Sequence, residues 1–134
     1  MEGRSEYMIS GDELFFFNEK TVALPLYETF ARRLLAEIDN VTVKVKKTQI
    51  SFSNKYNFAF VSFLPVRRAR ERPETWITVT FGLSYKKESP RIDVASEPYP
   101  NRWTHHMLIS SVDEIDGELM GWIKEAAAFS AGKR

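Results

Sequence analysis

Cysteine is absent from this chain, and its absence excludes several kinds of protein at once. There can be no disulfide framework, no zinc site with thiolate ligands and no cysteine nucleophile. A chain without cysteine also suits the reducing cytoplasm, which is where we expect this protein to reside. At 134 residues the chain has the length of one ordinary domain, long enough to bury a core without cross-links. We therefore treat residues 1–134 as a single domain.

Long apolar runs are also missing. The opening stretch MEGRSEYMISGDELFFF carries acidic side chains where a secretory signal needs positive charge. Its apolar part, residues 14–17, is too short for a signal core or a membrane span. These features predict a soluble intracellular protein that does not insert into a membrane.

The familiar catalytic and phosphate-binding motifs are absent too. The sequence contains no G-x-S-x-G, no S-x-x-K and no G-x-G-x-x-G, and its six glycines are scattered. No histidines or carboxylates stand at the spacing of metal ligands. The sequence therefore predicts no metal and no cofactor, and it favours a protein that is not an enzyme.

Helical periodicity appears at both ends of the chain. Apolar side chains recur every three or four positions between residues 18 and 40, which predicts a helix over about 24–38 with Pro25 in its first turn. The sequence SVDE, with Ser111 and Glu114, matches a capping box and predicts a second helix over about 112–129. Trp122 falls on the buried stripe of that helix, and GDELFFF predicts a short helical turn whose phenylalanines fill the core.

Between these helices the period changes to two, which is typical of strands. VTVKVKK alternates valines with Lys44 and Lys46, and further strands are predicted in QISFS, YNFAFVSF, TWITVTFGLSY, RIDVAS and RWTHHMLIS. Short loops between most of them favour antiparallel pairing. The predicted fold class is α+β: an antiparallel twisted sheet of five or six strands with two main helices packed on one face.

His105 and His106 are neighbours on a predicted strand. Adjacent strand residues point to opposite faces, so one small metal ion cannot bind both imidazoles. His105 falls on the buried face and is typical of a core histidine, whereas His106 falls on the other face. An enzyme would need His106 to converge with Asp93 or Glu97, and this is the weakest of the functional hypotheses.

Basic side chains are concentrated in the middle of the chain. Residues 41–110 carry twelve basic and five acidic side chains, whereas acidic residues outnumber basic ones on either side. Lysines and arginines among aromatics are typical of phosphate-binding surfaces, although lysines on a strand are also ordinary solvated positions. The interpretation we develop is a non-catalytic binding module whose basic sheet face binds an anionic ligand or a nucleic acid. Its candidate ligand-binding residues are Lys44, Lys46, Lys47, Thr78 and His106. The alternative is a protein-interaction or accessory domain that binds a protein partner and has no anion site.

Three segments together resemble a known family. They are FFFNEKTVALPLYETF, VTVKVKKTQISFSNKYNFAFVSF and RWTHHMLISSVDEIDGELMGWIKEAAAF. They are similar to the uncharacterised domain of unknown function 5655, sometimes labelled a predicted transport protein, over residues of about 14–129. The resemblance implies a small α+β domain that stands alone or is attached to other domains, including nuclease-like ones, and it implies no established activity. The positions that match the family pattern are Lys46, Lys47, Thr48, Trp103, Asp116 and Trp122.

Overall fold

The computed structural model describes residues 7–133. Within them lie three α-helices, α1 (Gly11–Phe16), α2 (Leu24–Glu37) and α3 (Gly117–Ala131). The strands are β1 (Thr42–Val45), β2 (Gln49–Ser53), β3 (Asn57–Ser62), β4 (Ile77–Leu83), β5 (Val94–Tyr99) and β6 (Arg102–Ile109). They form one antiparallel sheet in the order β1-β2-β3-β4-β6-β5. The predicted α+β fold with two main helices is confirmed.

The two main helices differ in how well the sequence predicted their first residues. Helix α2 begins at Leu24 with Pro25 in its first turn and ends one residue before the predicted boundary. The predicted start of the C-terminal helix near residue 112 was wrong. The Ser111 capping box begins a separate 3₁₀ turn, Val112–Glu114. The extended backbone of Asp116 then separates this turn from the helix that follows. Helix α3 starts only after Asp116, whose carboxylate accepts a hydrogen bond from the Leu119 backbone N–H at 3.0 Å.

The hydrophobic core lies between one face of the sheet and helices α2 and α3. Phe52 of β2 and Phe81 of β4 are fully buried on this face. Phe30 of α2 contacts Phe52 edge to face, with ring centroids 5.8 Å apart. Trp122 of α3 stacks on Phe81 at 5.9 Å, so the packing role predicted for this tryptophan is confirmed.

The short helix α1 is attached to this core by a buried carboxylate and one aromatic ring. Glu13 is 3% exposed and accepts hydrogen bonds from the hydroxyls of Tyr7 and Tyr27. Burial and the Glu13 carboxylate raise the pKa of Tyr27, so its hydroxyl remains a donor. Phe17 is fully buried, but Phe15 is 77% exposed. The prediction that the phenylalanines of this segment fill the core is therefore correct for Phe17 and wrong for Phe15.

The second face of the sheet is covered at one end by the loop between β3 and β4. The Thr78 hydroxyl donates to the carbonyl oxygen of Leu64 at 2.7 Å. Further along the same loop, the Arg67 guanidinium contacts the Asp93 carboxylate at 2.8 Å, next to the edge strand β5. Another part of this face, on β3, β4 and β6, forms the floor of a pocket.

Candidate functional site

The pocket on the second face has a volume of about 590 Å³. Its floor comes from β3, β4 and β6, and its walls come from the β1–β2 turn, the end of α1 and the residues that follow β3. The apolar lining consists of Phe16, Phe60, Phe63 and Leu64. The polar lining consists of Lys47, Thr48, Gln49, Ser62, Thr80, Thr104 and His106. A volume of this size is ordinary for a small-molecule site.

Strand register brings the central floor residues together. Phe60 of β3 lies opposite Thr80 of β4, and Thr80 lies opposite His106 of β6. Because side chains alternate along each strand, these three all point to the face away from α2 and α3. They form one row across the sheet, with an aromatic ring at one end and an imidazole at the other.

His106 is held in place by its neighbour across the strand pair. Its Nδ1 atom lies 2.7 Å from Oγ1 of Thr80. Burial lowers the pKa of His106, so its ring is neutral near pH 7. Among residues 7–133 no group forms a hydrogen bond with Nε2. A neutral imidazole fixed through one nitrogen leaves the other free to bond a ligand.

His105 lies on the opposite face and has no such free nitrogen. The residue is fully buried and its ring stacks on Phe81, with centroids 4.9 Å apart. Its Nδ1 atom lies 3.4 Å from the Phe81 carbonyl oxygen, and its Nε2 atom accepts from the Lys87 backbone N–H at 2.9 Å. Burial lowers its pKa as well. The prediction that the two histidines diverge, with His105 in the core, is confirmed.

The predicted ligand-binding residues do not all meet in this pocket. Lys47 and His106 line it. Lys46 lines a neighbouring cavity of about 330 Å³, and Lys44 is exposed on β1 and lines neither space. Thr78 is fully buried, with its hydroxyl bonded to the β3–β4 loop. The structure thus places Thr78 behind that loop, away from any ligand on the open part of the face.

The acids that a catalytic histidine would need are occupied elsewhere. Asp93 accepts hydrogen bonds from Arg67 and from the Leu108 backbone N–H, each at 2.8 Å. Glu97 accepts a backbone hydrogen bond within the β5–β6 turn. Neither carboxylate lines the pocket with His106. In the described part of the chain, no group of three or more histidine or acidic side chains is arranged to hold a metal ion.

Several lining residues were not singled out from the sequence. Thr80 and Thr104 could have been found, because strand alternation places them on the same face as His106. Phe16 and Leu64 carried no such signal. They come from an N-terminal helix and a loop that reach the pocket only once the chain is folded.

No helix within residues 7–133 has both the length and the apolar character needed to cross a bilayer.

Comparisons with known proteins give a family and no activity. No curated protein and no solved structure shows significant similarity to the chain. A family described as a domain of unknown function (DUF5655) matches residues 15–130. This match spans most of the chain, including the β1–β2 turn and all of β6, and the protein therefore belongs to the DUF5655 family.

Proposed function

We propose that this domain is a non-catalytic binding module that takes a small anionic ligand with a planar apolar part into the pocket on the second sheet face. The observation that carries the proposal is the composition of the pocket lining. It combines one ammonium group, one imidazole and several hydroxyl and amide groups with aromatic walls, and it contains no carboxylate. Such a lining favours a ligand that accepts hydrogen bonds and carries negative charge.

Each polar group has a distinct role in this proposal. Lys47 is exposed at the turn between β1 and β2 and supplies the positive charge. His106 supplies a hydrogen bond through Nε2, because Thr80 already engages Nδ1. The Phe60 ring, partly buried on the floor, offers a flat apolar surface to the ring of the ligand.

A small ligand is supported better than a nucleic acid. Nucleic-acid surfaces need several cations spaced along a phosphate backbone. Among the basic residues of the middle region, Arg67 is paired with Asp93, and Arg91 is paired with Asp116 and Glu118. The basic groups of this region are thus partly neutralised within the protein, whereas the pocket offers a concave space of about 590 Å³ for a small molecule.

The test is calorimetric titration with matched anionic and neutral probes. Naphthoate and adenosine monophosphate are the anionic probes, and naphthamide and adenosine are their neutral counterparts. We expect each anion to bind more tightly than its counterpart by about fivefold, which corresponds to one partly exposed ion pair. The Lys47→Gln variant should remove this preference.

Lys44→Gln is the matched control. It removes the same charge from the same strand and turn region but from a side chain outside the pocket. Equal affinity for anionic and neutral probes in the native protein would overturn the proposal. Tight, salt-sensitive binding of a single-stranded oligonucleotide would also overturn it, if Lys44→Gln and Lys47→Gln weakened that binding equally. Equal effects would mean that the oligonucleotide binds a charged surface and not the pocket.

A protein-interaction domain is the second candidate, and the exposure of apolar side chains near α1 favours it. Phe15 is 77% exposed and Val22 is 70% exposed. Large apolar side chains in such positions are typical of contact surfaces for other proteins. This candidate predicts that Val22→Ser abolishes capture of a protein partner while binding of the anionic probes is unchanged, since Val22 lines neither the pocket nor the neighbouring cavity.

A further inference from the structure

The sheet-face pocket has a neighbour that gives it a second compartment. The cavity of about 330 Å³ lies between the end of α1, the residues that follow it and the β1–β2 turn. It shares three lining residues with the pocket, Phe16, Lys47 and Phe63. The rings of Phe16 and Phe63 stack on each other, with centroids 5.8 Å apart and an interplanar angle of 13°. This stacked pair thus lines both spaces, and Lys47 borders both as well.

The second compartment differs from the first in its charge. Its lining includes the ammonium groups of Lys20, Lys46 and Lys47 and a single carboxylate, that of Glu19. Lys20 is fixed above the Phe63 ring, with its nitrogen 4.8 Å from the ring centroid. No acid within residues 7–133 forms a salt bridge with any of these three lysines.

These three lysines are exposed to solvent around one small cavity, and a single carboxylate balances only one of their charges. A bound group with two or more negative charges could accept an interaction from each ammonium group. The first compartment, with four apolar side chains and one lysine, suits the opposite end of such a ligand.

We propose that the ligand has two parts: a planar ring held in the sheet-face pocket and an extended tail with at least two negative charges held by Lys20, Lys46 and Lys47 in the neighbouring cavity. This inference rests on the proposed function and assigns its ligand class. A nucleoside diphosphate is the simplest molecule with this chemistry, because it joins a flat base to a flexible polyanion. Lys47 contacts the part of the ligand where the tail leaves the ring compartment.

The experiment extends the calorimetric titration to a series in which only the tail changes. Adenine, guanine and uracil nucleosides are each compared with their monophosphates and diphosphates, in buffer free of divalent metal ions. Pyrophosphate alone is titrated as the tail without a ring. We expect affinity to rise by about fivefold for each added phosphate, and we expect pyrophosphate to bind more weakly than the best diphosphate.

Two substitutions locate the tail. Lys46→Gln should weaken diphosphate binding by about fivefold and leave nucleoside binding unchanged, because Lys46 lines only the second cavity. Lys44→Gln, two residues earlier on β1, should change neither diphosphate binding nor nucleoside binding. Circular dichroism of both variants establishes that the fold is intact.

The outcomes separate this inference from the proposed function. If monophosphates bind more tightly than nucleosides but diphosphates bind no more tightly than monophosphates, the single-anion pocket stands and the two-part ligand is overturned. Equal affinity of pyrophosphate and the diphosphates would also overturn it, because the ring compartment would then contribute nothing. If no phosphate increases affinity over the nucleoside in any of the three series, the proposed function and the inference both fail.

Discussion

The Nδ1 atom of His106 lies 2.7 Å from the Oγ1 atom of Thr80, across the paired strands β6 and β4. Both residues sit on the sheet face away from the main helices, and both line the pocket. Because burial lowers the pKa of His106, the hydrogen bond joins a neutral imidazole to a hydroxyl near pH 7. The ring orientation of His106 is therefore set by a hydrogen bond to a buried threonine on the pocket floor.

The first prediction concerns this threonine. Thr80→Val keeps the side-chain shape but removes the hydroxyl, so the imidazole of His106 is no longer oriented. We expect the affinity for adenosine monophosphate to fall by about fivefold, while the free energy of unfolding changes by about 1 kcal/mol. Thr42→Val, at an exposed position on β1, is the control and should change neither quantity. Unchanged affinity in Thr80→Val would show that the ring orientation is irrelevant to binding.

The second prediction concerns the pH dependence of stability. Burial lowers the pKa of both His105 and His106 in the folded protein, whereas in the unfolded chain each pKa is about 6.5. As the pH falls below about 6.5 the unfolded chain takes up protons that the folded protein does not, so the free energy of unfolding decreases. Each histidine contributes a slope of at most about 1.4 kcal/mol per pH unit. Urea unfolding between pH 8 and pH 5 measures this slope, and NMR titration of the two imidazoles measures their midpoints. Midpoints at or above about 6.5 would contradict the prediction.

The third prediction separates the two histidines. His105→Phe fills the same space but leaves the Lys87 N–H and the Phe81 carbonyl without their imidazole partner. We expect the free energy of unfolding to fall by about 1–3 kcal/mol. Ligand affinity should be unaffected, since this side chain lies on the helix side of the sheet. His106→Phe should show the reverse pattern, with weaker ligand binding and a smaller loss of stability. Equal effects of the two variants on ligand binding would contradict the finding that the two side chains point to opposite faces.

The fourth prediction concerns the contact between the β3–β4 loop and β5. Asp93→Ala leaves both the Leu108 backbone N–H and the Arg67 guanidinium without an acceptor, so we expect a loss of about 2–3 kcal/mol in the free energy of unfolding. Arg67→Ala should cost about 1 kcal/mol or less, because one third of its side chain is exposed to solvent. Chemical denaturation of the two variants and their double mutant gives the coupling between them. A larger effect for Arg67→Ala than for Asp93→Ala would contradict this assignment.

The fifth prediction links α1 to the pocket wall. Tyr27→Phe removes one hydroxyl donor from the buried Glu13 carboxylate, which weakens the attachment of α1. We expect the free energy of unfolding to fall by about 1–3 kcal/mol, as for other buried carboxylates that lose a donor. Ligand affinity should fall as well, because Phe16 of α1 forms a wall of both cavities. Hydrogen exchange should show faster exchange in residues 11–17, and Tyr85→Phe, which removes an exposed hydroxyl bonded to Glu125, is the control.

Periodicity predicted best those elements that have one buried face. The valines of β1 and the apolar positions of α2 recur at the spacing that a half-buried strand or helix requires. The same alternation predicted that His105 and His106 diverge. It could not place the start of α3, because the Ser111 capping box and the Asp116 cap are both good helix signals and only the backbone conformation between them decides which one begins the helix.

The candidate site was predicted in part, for a physical reason. Sequence by itself determined the α+β class, the face on which His106 lies and the lysines of the β1–β2 turn, since these follow from local spacing and composition. The tertiary structure alone decided that Lys47 and His106 border one pocket, that the β3–β4 loop buries Thr78, and that Phe16 closes the wall. Those outcomes depend on contacts between segments far apart in the chain, and local periodicity carries no information about which distant segments meet.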